Sequence, residues 1–579
     1  MPGDDERSPR VVTVRGRRLK DRLPVRLRHH WKPAGALCAG LAVAVYFFGD
    51  ARVSPYATSS SRVEADTITQ NIEGTVGLYD ASVSHSVQLT YEQTDFDKMM
   101  KEFEDEGTKD YLSADLTIDG VHLEDVGIRL KGNSTLSSLR GKGMGMPGGG
   151  RNMPGRAGAQ QGAPPAADQG AGGGRDRGRS TGGGPGTTEQ QPGRLAEGGE
   201  KGGNGADGGG AAGGPAGMVQ YDLSAKKPEE LPWLIKIDQY IEGRAYQGER
   251  EISLRPGSDG QLPLNEALAL SLTKSSGQPA EGYSFTSVQV NNRPAVTRLM
   301  VDNPDTEYAE AVGDGNGVLY KARAGGSFDY RDDDPSDYET SFRQLNKAGS
   351  QDLEPVMKLI KWADEASDKE FEEELHQYVD IDSLATYIAT QNLLLNSDDI
   401  SGPGKNYMLW YDLDTRKFSV LGWDYNLSLS GDTAAGPDDK VGMGGGPGGP
   451  GAPEGGLPEG MPEIPEGMPE MPEGMPEIPE GMPGGGNGEA GKGRSMGGHA
   501  LKDRFLESDA FDAVYKAAYK KVYAKTYGSG TSKQALDTIA EQAREAAGSS
   551  KELDAAVEKL RTTVTERTAA LAKNKQVTG

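Results

Sequence analysis

The chain has 579 residues, including 83 glycines, 34 prolines and a single cysteine, and its formal net charge is −24. This acidic balance excludes nucleic acid as a general partner, because binding to phosphates needs clustered lysine and arginine. The one cysteine, Cys38, excludes structural disulfides. Most of the glycine and proline lies in two low-complexity blocks, 141–219 and 436–499. These blocks have too few apolar residues to form a core, and we predict that they are disordered insertions.

The N-terminus is basic, and an apolar run follows it directly. Arginine and lysine crowd positions 7–32, and the apolar residues cover 34–48. That run is shorter than the ~20 residues of a comfortable membrane span. The pattern predicts a signal-anchor or signal peptide, with a cytoplasmic tail at 1–33, a membrane segment at 34–49 and the remainder exported. The expected location is the bacterial cell membrane, with a single pass, or the exterior if the segment is cleaved. The alternative is a buried core helix.

The first half of the chain is predicted to be rich in strands. Residues 50–76 are polar and predicted to be a tether, and an acidic helix is expected at 95–106. The turn pairs Asp119-Gly120 and Asn291-Asn292 predict hairpins. Short apolar or alternating runs predict strands at 86–91, 114–118, 126–130, 233–237, 251–254, 285–290, 298–301 and 317–322.

The second half is predicted to be mainly helical. Apolar stripes favour helices at 352–365, 368–377 and 381–395, and again across 501–573. One earlier helix is expected at 264–276, before Gly277. A β-rich half followed by a helical half predicts an α+β protein in two lobes.

Three polar side chains lie at the ends of predicted elements in the stretch 391–430. Asp424 could bind Mg²⁺, which takes hard oxygen ligands completed by water and phosphate. Asn406 could supply an amide oxygen to a second ion, and Asp398 could accept a hydroxyl proton. Two cations on predicted strands, Lys321 and Arg129, could neutralise phosphates. Phosphoryl transfer needs such parts, because its catalysis is mainly positioning and charge stabilisation.

Each of these residues also has an ordinary structural interpretation. Asp398 could cap a turn, as could the adjacent Asp399. Asp424 could form a structural salt bridge, Asn406 could be a turn residue, and Lys321 could lie at a solvated sheet edge. The spacings of P-loop, zinc and hydrolase motifs are absent from the sequence.

Five motifs in order resemble the CotH-type kinases, an atypical kinase-like family named for the spore coat protein H. The resemblance runs from about Tyr79 to Arg567 and skips both insertions. It includes VGIRLKGNST at 126–135, NGVLYK at 316–321, NSD at 396–398, KNY at 405–407 and GWD at 422–424.

The resemblance implies a two-lobed, protein-kinase-like fold in residues 77–430 and 500–573. It implies that ATP and Mg²⁺ (or Mn²⁺) are used to phosphorylate serine or threonine in secreted or cell-envelope proteins. Asp398 would be the catalytic-loop aspartate, with Asp399 as the alternative because the acid is doubled. Asp424 and Asn406 would bind the metal. Lys321 and Arg129 would bind the nucleotide.

One residue departs from the family pattern. Asp302 stands where the resemblance predicts a glutamate before Asn303, and a shorter acid is expected to reach less far towards a lysine across the lobe. Two other functions stay open. Because ATP is scarce outside the cell, the fold could serve as a non-catalytic surface scaffold. The same pocket could also transfer a nucleotidyl or amino-acid group.

Overall fold

The computed structural model describes residues 67–132, 134–140, 221, 223–313, 315–441 and 498–579. The basic tail, the predicted signal-anchor at 34–49 and most of both low-complexity blocks lie outside these residues. Among the helices within these ranges, none has both the length and the apolar character to cross a membrane.

Strands dominate the first half of the described chain, as the alternating runs predict. The strands of the described residues, including those further along the chain, are β1 Gln70–Ile72, β2 His85–Thr90, β3 Leu112–Ile118, β4 Val121–Leu130, β5 Trp233–Lys236, β6 Arg244–Tyr246, β7 Glu251–Leu254, β8 Tyr283–Val290, β9 Val296–Asp302, β10 Gly317–Ala322, β11 Phe342–Gln344, β12 Tyr407–Asp412 and β13 Phe418–Gly422.

Helices dominate the second half, and two more lie in the first half. The helices of the described residues are α1 Gln93–Glu106, α2 Leu264–Ser276, α3 Thr306–Ala311, α4 Glu354–Glu365, α5 Asp368–Tyr378, α6 Ile381–Leu393, α7 Ala500–Glu507, α8 Asp509–Lys525, α9 Thr531–Ala547, α10 Lys551–Lys573 and α11 Lys575–Thr578. The predicted mixed α+β class is confirmed.

Seven strands close into a barrel in the order β2-β3-β4-β5-β7-β9-β8. The turn between β3 and β4 is the predicted hairpin, since Asp119 and Gly120 both have positive φ, 50° and 84°. Closure depends on the parallel pairing of β2 with β8, which joins segments about 200 residues apart in sequence. Alternate residues of these strands fill the barrel, and α1 packs against the same core through Phe96 and Phe103.

A four-stranded sheet, in the order β11-β10-β12-β13, follows the barrel in the chain. One face of this sheet joins the large core formed by the helices, through residues such as Tyr320 and Leu409. The other face packs with α3 in a small separate core that includes Leu319 and Trp410. The sheet is therefore buried on both sides, and its β10 and β13 deliver Lys321 and Asp424 to one region.

Two predicted boundaries differ from the structure. Residues 67–76, expected to belong to the tether, include β1, which pairs in parallel with β6. Residues 436–441, expected to belong to the second insertion, are held in place by hydrogen bonds. Asn392 Nδ2 donates to the Gly436 carbonyl at 3.0 Å, and the Tyr515 hydroxyl donates to the Pro437 carbonyl at 2.8 Å. Their backbone carbonyls bind side chains of the helical core, which apolar content alone did not indicate.

Candidate functional site

A tight loop after α6 positions Asp398. Helix α6 is apolar on most sides and largely buried, and it ends at Leu393; two residues later, Leu395 has a φ of +50°. The side chain of Asn396 then organises the turn: its Oδ1 accepts from the Asp398 amide at 3.1 Å, and its Nδ2 donates to Gln391 Oε1 at 2.8 Å. A side-chain acceptor two residues before an amide is a common way to fix such a turn.

Two glycines let the loop fold back over the Asp398 carboxylate. A Cβ at Gly402 would lie 2.4 Å from Asp398 Cα, and a Cβ at Gly404 would lie 2.3 Å from Asp398 Oδ2. Neither approach is sterically possible for another residue without movement of the loop. The short approach allows the Gly404 amide to donate to Asp398 Oδ1 at 2.5 Å.

Asn406 connects Asp398 to Asp424. Its Nδ2 donates to Asp398 Oδ2 at 3.0 Å and also approaches the Asp424 carbonyl oxygen at 3.3 Å. Burial raises the pKa of Asp398 to about 6, and the charges of Asp424 and Asp399 raise it as well, while the hydrogen bonds from Gly404 and Asn406 oppose the shift. A carboxylate with this pKa can take up a proton near neutral pH.

Asp399 points away from this site. Its Oδ2 is ion-paired with Lys502 Nζ at the start of α7, and its Oδ1 accepts from the Ser401 amide at 2.9 Å. The doubled acid of the sequence therefore has two separate environments. The structure brings Asp398, and not Asp399, next to Asn406 and Asp424.

Replacing Lys502 with methionine is expected to destabilise the fold by about 1–3 kcal/mol, because the Asp399 carboxylate would stay buried without its cation. Chemical denaturation followed by circular dichroism measures the change. Lys369→Met, which removes the ammonium of an exposed pair with Glu373, is the control and should leave stability unchanged. A Lys502→Met variant as stable as the wild type would contradict this role for Asp399.

Asp424 follows β13 in a left-handed backbone conformation, with φ of +54°. Its amide donates to Glu281 Oε1 at 3.3 Å, and its Oδ1 lies 3.2 Å from Arg255 Nη2. Arg255 is buried and also binds Glu266, on α2, through the same Nη2. Although burial disfavours its charged form, Glu266, Asp424 and Glu281 together raise the pKa of Arg255 above its usual value.

Lys321 lies beside this group. Its Nζ sits 3.5 Å from the centre of the Trp423 ring, the residue before Asp424. Burial lowers the pKa of Lys321 to about 8, and Arg343 lowers it further, against the opposing charges of Glu281, Glu251 and Asp424. Lys321 is therefore mostly protonated at neutral pH.

Arg129 is not brought to the site. Its guanidinium lies over the Tyr111 ring, 5.2 Å from the centre, and Nη1 reaches the Leu130 carbonyl at 3.4 Å. Lys131, two residues later, is closer to the group. It donates to Asn303 Oδ1 at 2.7 Å, and its pKa is well below the usual value because of burial and the nearby Arg255 and Lys321.

A family model described as CotH kinase protein matches residues 223–571, which is more than half of the chain. The chain belongs to the CotH kinase family. Among curated proteins, no sequence is significantly similar to it. The family match contains the loop of Asp398 and Asn406, the β13 end with Asp424, and Lys321. The assignments of these residues, and of Arg129 outside the match, stay predictions.

The donor set of this CotH family member fits a divalent cation that is completed by phosphate. Asp424 Oδ1 is buried and receives no hydrogen bond from the described residues, although it lies near the Arg255 guanidinium. The Asn406 amide adds a neutral oxygen. Among the described residues, no three His, Cys, Asp or Glu side chains are arranged to hold a metal ion. One carboxylate, one amide oxygen, water and phosphate oxygens form a ligand set that Mg²⁺ commonly takes.

Sequence reasoning missed four charged residues of this site. Arg255 and Glu281 contact Asp424, Glu266 binds Arg255, and these three are buried. The fourth, Lys131, lies near Arg255 and Lys321. One signal was present in the sequence. Glu266 is the lone acid of the apolar helix LNEALALSL, and a buried acid needs a cationic partner. The identity of that partner depends on how α2 packs against the end of β7.

Asp302 is the residue that was expected to reach less far towards a lysine than a glutamate would. Asp302 ends β9 and is buried, but it forms no ion pair within the described part of the chain. The adjacent Asn303 binds Lys131 instead and donates to Glu251 Oε2 at 2.5 Å.

Proposed function

We propose that this CotH kinase transfers the γ-phosphate of ATP to serine or threonine hydroxyls of secreted or cell-envelope proteins. The observation that carries the proposal is the Asn406 side chain, which holds the Asp398 carboxylate next to Asp424. A proton acceptor thus lies beside a candidate metal ligand, within a family of kinase-like proteins. In this interpretation the barrel acts as the first lobe of a kinase-like fold, and the helical core acts as the second.

Asp398 would act on the acceptor hydroxyl. As the hydroxyl oxygen forms its bond to the γ-phosphorus, the bond from that phosphorus to the bridging oxygen breaks and ADP leaves. The hydroxyl proton passes to Asp398, whose burial already favours the protonated form. The hydrogen bonds from Gly404 and Asn406 orient the carboxylate during this transfer.

Charge on the transferred group would be neutralised by cations of the chain and by metal. Lys321, held over Trp423, supplies an ammonium that faces the Asp424 region. Arg255 holds the Asp424 carboxylate in place by an ion pair. Mg²⁺ or Mn²⁺, held by Asp424 and Asn406, would supply further positive charge to the phosphates.

The proposed location is the outer side of a bacterial membrane. The supporting observation is the basic flank before the apolar run at 34–48. Protease added to intact cells should digest the 67–579 region, and full protection of that region until the cells are lysed would contradict the proposal.

Labelled ATP tests the function directly. The full-length chain is incubated with Mg²⁺ or Mn²⁺, casein as acceptor, and ATP labelled at either the γ or the α position. Label from the γ position, recovered on phosphoserine or phosphothreonine, supports the kinase. Label from the α position would instead indicate nucleotidyl transfer. Absence of label together with absence of a thermal shift on adding ATP would leave the non-catalytic scaffold.

A further inference from the structure

A second, acidic cleft lies next to the candidate active site. It has a volume of about 530 Å³, within the range of sites for small organic molecules. Its walls come from the loop after α2, the end of β9 and helix α3. Four carboxylates line it, Glu249, Asp302, Glu307 and Glu310, and the one lysine on its rim, Lys274, is exposed.

Among the described residues, one oxygen of the deepest of these carboxylates has no donor. Asp302 is 8% exposed, and its Oδ1 receives no hydrogen bond from any N–H or O–H group in the described part of the chain. It faces Glu249, and burial together with the Glu249 charge raises the pKa of Asp302 well above its usual value. The buried hydroxyl of Tyr308, which also lines the cleft, has no hydrogen-bond partner among the described residues either.

Among the described residues, no ion pair joins a cation to Asp302 or Glu249. Arg250 pairs with Glu307 Oε1 at 2.9 Å and approaches Asp238 at 3.5 Å, so its charge is already shared between two acids. No ion pair joins Lys274 to Asp302 or Glu249 within the part of the chain that the structure describes. Two facing acids and a buried tyrosine hydroxyl thus line the cleft.

We propose that this cleft binds an organic cation through an ammonium or guanidinium group. Such a group carries several N–H donors, which match the unpartnered oxygens of Asp302 and Tyr308 and the adjacent Glu249 carboxylate. The rest of the wall includes Ile68, Pro279, Ala280, Ala311 and Val312, which suit an alkyl chain. A small alkyl amine or guanidine meets both requirements, whether it is a free molecule or the end of a lysine or arginine side chain.

The bound cation would stabilise two segments that lead into the candidate active site. Ala280 precedes Glu281, which accepts the Asp424 amide, and Asp302 precedes Asn303, which binds Lys131. Neutralising the acids of the cleft would therefore hold both segments in place. The binding itself does not depend on the proposed kinase activity.

The test is a thermal-shift and calorimetric titration of the full-length chain with agmatine and with putrescine. Both are expected to raise the melting temperature in a saturable way, whereas the uncharged 1-butanol should not. In Asp302→Asn, binding should weaken by about tenfold or more. This variant is expected to fold, since asparagine matches the shape of the protonated acid and removes a buried charge repulsion.

Two further variants separate binding from general charge effects. Glu249→Gln should weaken agmatine binding in the same way, while Glu373→Gln, which removes an exposed acid on α5, should leave it unchanged. Peptides that carry one lysine or arginine, compared with the same peptides carrying glutamine, show whether the cation comes from a side chain. An absent shift with both amines, or an equal shift in Asp302→Asn and the wild type, would overturn the proposal, because the two acids would then simply share a proton.

Discussion

Replacing Asp424 with asparagine is expected to lower phosphate transfer from ATP by about 10²–10³-fold, while the protein stays folded. The loss follows from the role of its carboxylate, which is the one charged side chain of the two candidate metal ligands, Asp424 and Asn406. Folding should survive because Arg255 keeps its other partner, Glu266. The measurement is the initial rate of γ-label transfer at saturating Mg²⁺, together with the melting temperature of the variant.

A matched control lies a few residues later. Asp432 is exposed and accepts a hydrogen bond from the Ala434 amide, which an asparagine oxygen can also accept. Asp432→Asn should therefore transfer phosphate at the wild-type rate. If Asp424→Asn kept full activity, Asp424 would be only a structural partner of Arg255, and the proposed metal site would be wrong.

Asp424 could be singled out from the sequence because local signals predict its position at the end of a strand. An apolar strand ends at Gly422, and a carboxylate that follows such a strand lies at the edge of a sheet. The same logic found Asp398 at the end of an apolar helix. Two turns could also be predicted from the local sequence. Gly277 ends α2 with φ of +94°, and Asp119-Gly120 closes the first hairpin.

The local sequence does not determine which of the two cations Arg129 and Lys131 lies near the candidate site. The alternation of β4 puts Ile128 and Leu130 inside the barrel, so both cations face outward. Which of them meets Asn303 depends on how the ends of β4 and β9 are arranged in the closed barrel, and no sequence period encodes that. The buried set of Arg255, Glu266 and Glu281 has the same origin, because the segment that carries all three must meet the distant Asp424 before its charges balance. Barrel closure through β2 and β8 likewise joins remote segments.

Asp398 should set the pH dependence of the reaction. Its pKa of about 6 lies above the usual value for aspartate, so the carboxylate is largely ionised at pH 7.5 and largely protonated at pH 5. A general base acts only when ionised, and kcat/KM is therefore expected to fall by about tenfold per pH unit below pH 6 and to level off above it. Initial rates from pH 5 to pH 8 measure this profile.

Asp398→Asn should lower kcat by about 10²–10⁴-fold and remove this acidic limb, because the variant has no carboxylate to protonate. Its stability should change little: the loss of one hydrogen bond from Gly404 or Asn406 opposes the relief of a buried charge. Asp399→Asn is the decisive comparison, since it alters the adjacent acid of the same turn. It should lose stability through the Lys502 pair but keep the limb. The reverse result, with the limb lost in Asp399→Asn and kept in Asp398→Asn, would assign the base to Asp399 and place the catalytic register one residue later.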